Sequence, residues 1–141
     1  MTGTNHQSYL IAGLVIIAFV TASFAKPRRL QKIPPGAWGA PHINLNVTPN
    51  SADVEFDCAH GTINGPLTLD SRGRFNLSGS YTREHAGPIR EDIKTISRSV
   101  RYSGSISGEI MILKITQAGS NEVIGTFTLG RGKPGRVFKC R

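Results

Sequence analysis

Charge is missing from the first 25 residues of this chain. They contain no Lys, Arg, Asp or Glu, and the seventeen residues 9–25 are almost wholly apolar. Such a run matches the core of a signal peptide and lies at the short limit for a transmembrane helix. Ser23 and Ala25 place small residues where signal peptidase needs them, so we predict cleavage after Ala25. No Cys stands directly after the run, so nothing indicates a lipid-anchored lipoprotein.

An uncleaved membrane anchor is the alternative for residues 9–25. A positive segment normally precedes a signal-peptide core, whereas here the positive segment, 26–32, follows it. Positive charge on that side favours retention in the cytoplasm. The processing site and the cysteine pair favour export instead. We therefore predict an exported, periplasmic or secreted protein, with a membrane anchor formed by residues 9–25 as the alternative.

Aromatic residues are also few, with one Trp, three Tyr and six Phe. Proteins that bind single-stranded nucleic acid stack bases on aromatic side chains, and no nucleic-acid motif is present. We therefore predict no specific nucleic-acid binding. The net charge of +8, from 17 Lys and Arg against 9 Asp and Glu, is dispersed over residues 26–141. Such a surface keeps a protein soluble and attracts anionic surfaces.

Recognised catalytic motifs are absent as well. The chain has no HExxH, no paired CxxC and no serine in a nucleophile elbow. The glycines of 130–135 lack the strand and helix that flank a phosphate-binding loop, and this segment is more typical of a hairpin connection. The lack of a complete catalytic set favours a non-enzymatic role.

Strand patterns recur along the rest of the chain, and helical periodicity is almost absent. We predict eight strands, at 42–47, 53–59, 66–70, 74–83, 100–106, 109–116, 123–129 and 136–140. Short links predict an antiparallel up-and-down meander, and about eight strands suffice to close a small barrel. A β-sandwich is the alternative. The predicted organisation is a signal peptide or anchor (1–25), a Pro-rich basic lead-in (26–37) and one all-β domain (38–141).

Strand parity brings the notable side chains to one end of such a meander, because even strands end where odd strands begin. The residues placed there are Trp38, His42, Cys58, His60, Glu84, His85 and Cys140. We predict a Cys58–Cys140 disulfide, which would close a loop of about eighty residues. Two buried free thiols are the alternative if the domain is cytoplasmic.

A metal site is the second hypothesis for this end. Three imidazoles, from His42, His60 and His85, would bind zinc with an open fourth position if they converged, with Glu84 beside them. The alternative is that His60 and His85 hydrogen-bond to loop backbone. No cofactor is predicted outside this hypothesis, in which zinc would serve a metal-binding protein or a metal-dependent hydrolase.

The segment Gly36-Ala37-Trp38 resembles the G-x-W that opens the barrel of calycins, which include lipocalins, avidins and small periplasmic metallopeptidase inhibitors. In those families the Trp packs against an Arg or Lys from the last strand, a part that Lys139 or Arg141 would take here. The resemblance implies a closed calycin-like barrel with a binding or inhibitory role.

The stretches 55–63, 83–90, 124–129 and 139–141 resemble a family of small exported bacterial β-proteins whose activity is not established. Together with the missing catalytic motifs, this favours a monomeric, exported, non-enzymatic barrel. Its partner would be a small ligand, a polymer or a protein of the cell envelope. A peptidase inhibitor is one form of this hypothesis, in which the lead-in 26–37 occupies the partner's cleft.

Overall fold

The computed structural model describes residues 30–87 and 96–140, which form an antiparallel all-β fold. Its ten strands are β1 (Gln31–Lys32), β2 (Gly36–Ala40), β3 (Ile43–Val47), β4 (Ser51–Phe56), β5 (Ala59–Asn64), β6 (Thr68–Leu69), β7 (Arg74–Arg83), β8 (Ser97–Ser107), β9 (Ile110–Gln117) and β10 (Val123–Arg131). Eight close into a barrel in the order β10-β2-β3-β4-β5-β7-β8-β9, while β1 and β6 pair outside it. The predicted up-and-down barrel is confirmed, and the sandwich alternative is wrong.

The predicted apolar segment 9–25 lies outside the described residues. Within 30–87 and 96–140, no helix has the length and apolarity needed to cross a bilayer.

Two barrel strands differ from the predicted ones. β2 occupies part of the expected lead-in, and it was not predicted because its Gly and Ala residues have low strand propensity. The predicted strand 53–59 is in fact two strands, since the chain turns at Asp57-Cys58 and returns as β5. Cys58 makes this turn with a positive φ of 52°, a conformation that a non-glycine residue seldom adopts.

Two predicted strands are not barrel strands. The segment 66–70 forms only β6, which pairs with β1, and Ile33 of the lead-in donates its N–H to the Leu67 carbonyl at 2.9 Å. The segment 136–140 forms no strand and makes one isolated bridge, from Arg136 to Pro41. The lead-in therefore packs against the fold from residue 31 onwards.

The barrel has two distinct ends. We define the cysteine end by its connections at 41–42, 57–58 and 118–122, and the opposite end by those at 48–50 and 108–109. Trp38 faces the opposite end, where it lines a pocket with Gly108, and the guanidinium of Arg131 lies 6.0 Å from its ring centroid. The expected placement of Trp38 at the cysteine end is therefore wrong. A basic residue from the last strand does contact Trp38, but it is Arg131, because β10 ends there. Lys139 lies instead beside Glu84, and Arg141 is outside the described residues.

The barrel interior is packed with side chains rather than hollow. Tyr102, which is 0% exposed, occupies space that two inward-facing glycines leave open. A Cβ at Gly61 would strike the Tyr102 hydroxyl, and one at Gly79 would lie 2.7 Å from its ring. The hydroxyl donates to the Ser80 carbonyl at 2.7 Å, and burial raises the pKa of Tyr102 far above its ordinary value. Tyr102 is therefore a neutral, hydrogen-bonded core residue.

Residues 132–140, here named the strap, run back along the outside of the barrel from the opposite end to the cysteine end. The strap begins where Gly132 donates to the Ala37 carbonyl, and it then crosses β2 and β3. Gly39 and Gly135 lie so close to the facing backbone that neither has room for a Cβ. The path ends at the Cys58–Cys140 disulfide, whose Cα atoms are 4.9 Å apart. The predicted disulfide is thus confirmed, with Cys140 on the strap and Cys58 in a turn.

Replacing Gly79 with Ala should destabilise the protein by about 1–3 kcal/mol, because the added methyl group has no room between the Thr62 carbonyl and the Tyr102 ring. Urea denaturation gives this free energy directly. Ser78→Ala is the matched control, since Ser78 is exposed on the same strand. Equal stability of the two variants would contradict the packing described for Tyr102.

Replacing both cysteines with Ser should lower the free energy of unfolding by about 4 kcal/mol, because the bond spans 82 residues and restricts the unfolded chain. Denaturation with and without a reducing agent measures the loss. Reduction should destabilise the wild type and leave the double variant unchanged. A wild type indifferent to reduction would show that the bond contributes nothing to stability.

Candidate functional site

His42 and Asp57 fasten the strap at the cysteine end. The Asp57 carboxylate accepts the backbone N–H of Phe138 at 2.8 Å and also contacts Nδ1 of His42. These contacts, chiefly the Phe138 N–H, hold the pKa of Asp57 below its ordinary value. The His42 ring in turn lies 6.1 Å from the Phe138 ring. His42 thus has a structural role, because it links the turn at Asp57 to the strap.

Two of the left-handed residues of this end, His42 and Cys58, are held by the same segment. His42, with φ of 70°, donates its N–H to the Arg136 carbonyl at 2.8 Å, and Cys58 donates to the Phe138 carbonyl at 3.1 Å. The Cys58 carbonyl also accepts the N–H of Glu84 at 2.8 Å. Strained backbone persists where surrounding contacts hold it in place. The strap supplies those contacts here.

His60 and Glu84 form a second, separate pair. Nδ1 of His60 lies 3.0 Å from Oε1 of Glu84, and Nζ of Lys139 lies 3.1 Å from the same oxygen. The His60 hydrogen bond, followed by Lys139, keeps the pKa of Glu84 below its ordinary value. Glu84 therefore fixes the strap to the end of β7.

The structure does not bring the three imidazoles of the zinc hypothesis together. His42 pairs with Asp57, His60 pairs with Glu84, and His85 lines a pocket. In the described part of the chain, no group of three or more His, Cys, Asp or Glu side chains is placed to hold a metal ion. Parity brings these residues to one end, but the circumference of the barrel keeps them apart.

One concave feature at the cysteine end is a pocket of about 350 Å³, here named the mouth pocket. It lies where β7, β8, β9 and β10 reach the rim, whereas the strap covers the rim from β2 to the end of β7. Its lining residues are Tyr81, Arg83, His85, Ile96, Arg98, Gln117, Glu122, Val123 and Ile124. The pocket therefore combines cationic, amide and carboxylate side chains with an apolar part formed by Tyr81, Ile96, Val123 and Ile124.

An aromatic cluster lies behind the mouth pocket. Phe56 contacts Tyr81 with ring centroids 5.4 Å apart, and it contacts Phe127 at 5.7 Å. Gly125 leaves room for the Phe127 ring, since a Cβ there would lie 2.7 Å from it. Tyr81 thus belongs to both the packed interior and the pocket wall.

Of the predicted site residues that the structure describes, only His85 lines the mouth pocket, and Arg83 and Arg98 were not among the predicted residues. Both have the inward parity of their strands: Arg83 follows Tyr81 by two residues, and Arg98 lies directly across from Tyr81. A charged residue at an inward position marks the point where a strand leaves the core. Continuing the alternation past the last apolar residue of each strand would have found both.

No protein-family model matches this chain, and comparisons with curated proteins and with solved structures find no match. The candidate site therefore rests on the geometry described above.

Acid should destabilise the strap contacts. The pKa values of Asp57 and Glu84 are lowered from 3.8 and 4.5, so their ionised forms add stability that is lost as the pH falls below about 4.5. We expect the wild-type urea midpoint to fall over that range, and to fall less in Asp57→Asn/Glu84→Gln. Asp53→Asn, which changes an exposed carboxylate, is the control. An equal acid response in all three proteins would contradict this assignment.

Proposed function

We propose that this protein is an exported, non-enzymatic β-barrel binding module whose ligand is a small molecule held in the mouth pocket. The observation that carries the proposal is this pocket of about 350 Å³ at one end of a closed, packed barrel. Pockets of roughly 300–1,000 Å³ with a few placed polar groups are typical of small-molecule sites.

The packed interior supports this location for the ligand. Trp38, Tyr102 and the residues around them fill the space between the strands. Small eight-stranded barrels have room for either side chains or one small ligand. Side chains take that room here, which favours the mouth over the barrel axis.

Export is supported by the Cys58–Cys140 disulfide, which is consistent with an oxidising location outside the cytoplasm. The processing site predicted after Ala25 agrees with it. The resemblances to calycins and to small exported bacterial proteins point in the same direction.

The inhibitor form of the hypothesis has less support. It requires the lead-in to be a free arm that can enter a partner's cleft. However, β1 pairs with β6, Ile33 is buried, and Gly36 begins β2. Residues 31–37 are therefore part of the folded domain, which favours a small molecule over a partner's cleft.

Native mass spectrometry of the protein purified from its own host tests this function. We expect a mass that starts at Lys26, is two hydrogens below that of the reduced chain, and carries a non-covalently bound organic molecule. Ile124→Trp should lose the bound molecule because it fills the pocket. Thr126→Trp, at an exposed position of the same strand, should keep it.

Two results would count against this function. Retention of residues 1–25 would overturn export. An empty wild type, with no chemical-shift change around the mouth pocket on titration with a small-molecule library, would overturn ligand binding there.

A further inference from the structure

The inward-facing positions of β7 and β8 end in two arginines at the mouth pocket. Arg98 lies directly across from Tyr81, and Arg83 is two residues further along β7. Residues in this diagonal relation lie about 7–8 Å apart on the same face of a sheet. Both side chains line the mouth pocket and are exposed at the rim. Two guanidinium groups are thus directed to one opening.

Neither arginine is neutralised within the described residues. Some cations of the described residues have carboxylate partners: Arg74 pairs with Asp70, Arg131 with Glu109, and Lys139 with Glu55 and Glu84. Others, Arg101 and Lys114 among them, have none there, and Arg83 and Arg98 belong to this second group. The polar contact of Arg98 is with the Gln117 amide at 3.5 Å, and Arg83 forms no ion pair in this part of the chain. The pair therefore has donors available for an anion from solution.

The rest of the mouth pocket has two further properties that bear on a ligand. Ile96 and Val123 are 70% and 51% exposed in it, beside the ring of Tyr81, so part of its wall would favour an apolar body. Glu122 also lines the pocket and would repel a ligand that carries negative charge at both ends. These properties favour a molecule with one anionic group and an apolar remainder.

We propose that the mouth pocket binds a small organic oxyanion, with Arg83 and Arg98 holding its carboxylate or phosphate and Tyr81 packing against its apolar body. Planar guanidinium groups match both oxyanions, since each presents paired N–H donors to paired oxygens. This inference rests on the proposed function, because it names the class of ligand for the same pocket.

Fluorescence titration with two probes of similar shape tests the inference. Anilinonaphthalene sulfonate carries an oxyanion, whereas phenylnaphthylamine is neutral. We expect the wild type to bind the sulfonate more tightly than the neutral probe. Arg83→Gln/Arg98→Gln should bind the sulfonate at least about ten-fold more weakly, since it loses the charge-assisted hydrogen bonds of both guanidinium groups. Its affinity for the neutral probe should be unchanged.

Arg101→Gln/Lys114→Gln is the matched control, because it removes the same charge from the outer face of β8 and β9, where Arg101 contacts Asn76. It should bind the sulfonate as the wild type does. Unfolding midpoints of both double variants establish that they are folded. Equal weakening in both would show attraction to net charge alone and would overturn the role of the two arginines.

Competition distinguishes the two oxyanion classes. Displacement of the sulfonate by benzoate identifies a carboxylate ligand, and displacement by phenyl phosphate identifies a phosphate ligand. Displacement by neither would overturn the oxyanion assignment. If the neutral probe binds and the arginine variant keeps full sulfonate affinity, this inference fails while the proposed function stands. If neither probe binds the wild type, both fail.

Discussion

Closure of the sheet between β10 and β2 is the constraint on which the rest of the structure depends. The barrel closes there through only two residue pairs, Gly130 with Gly39 and Arg131 with Trp38, whereas β7 and β8 share nine. The strap continues directly from this seam and lies over the outer side of β2. Its close fit at Gly39 and its disulfide to Cys58 hold a short seam in place. If the seam opened, β2 and β10 would be edge strands with which a neighbouring chain could pair.

The same arrangement determines which side chains at the cysteine end hold the strap and which line the mouth pocket. One part of the rim at the cysteine end is occupied by the strap, and its histidines and carboxylates are engaged in holding that segment. The other part, between β7 and β10, holds the mouth pocket and carries the two arginines. His42, His60 and Glu84, which look reactive in the sequence, thus have structural partners. The two arginines that line the pocket are of a type that alone attracts little notice.

The sequence predicts the class of fold well because alternation and short links are local properties. It identifies β3, β7, β9 and β10 closely. It also brings the two cysteines to one end, although Cys140 reaches that end on the strap and not on a strand. It misses β2, which is composed mainly of Gly and Ala, and in which Gly39 has no room for a Cβ because the strap packs over it. It also misses the turn at Cys58, since no glycine or asparagine marks it and long-range hydrogen bonds hold it. The histidines fail as a metal site because parity determines an end of the barrel and not a position around its circumference.

The disulfide also changes how the fold would respond to mechanical force. It makes residues 58 to 140 a covalent ring that contains β5 to β10. Tension applied between the start of β2 and Cys140 would pass through β2, β3 and β4 to Cys58 and then across the sulfur atoms. The six ring strands would carry none of it along their backbone. Extension would be limited to the short segment that precedes Cys58, so the wall of the mouth pocket would keep its connectivity while the seam was pulled apart.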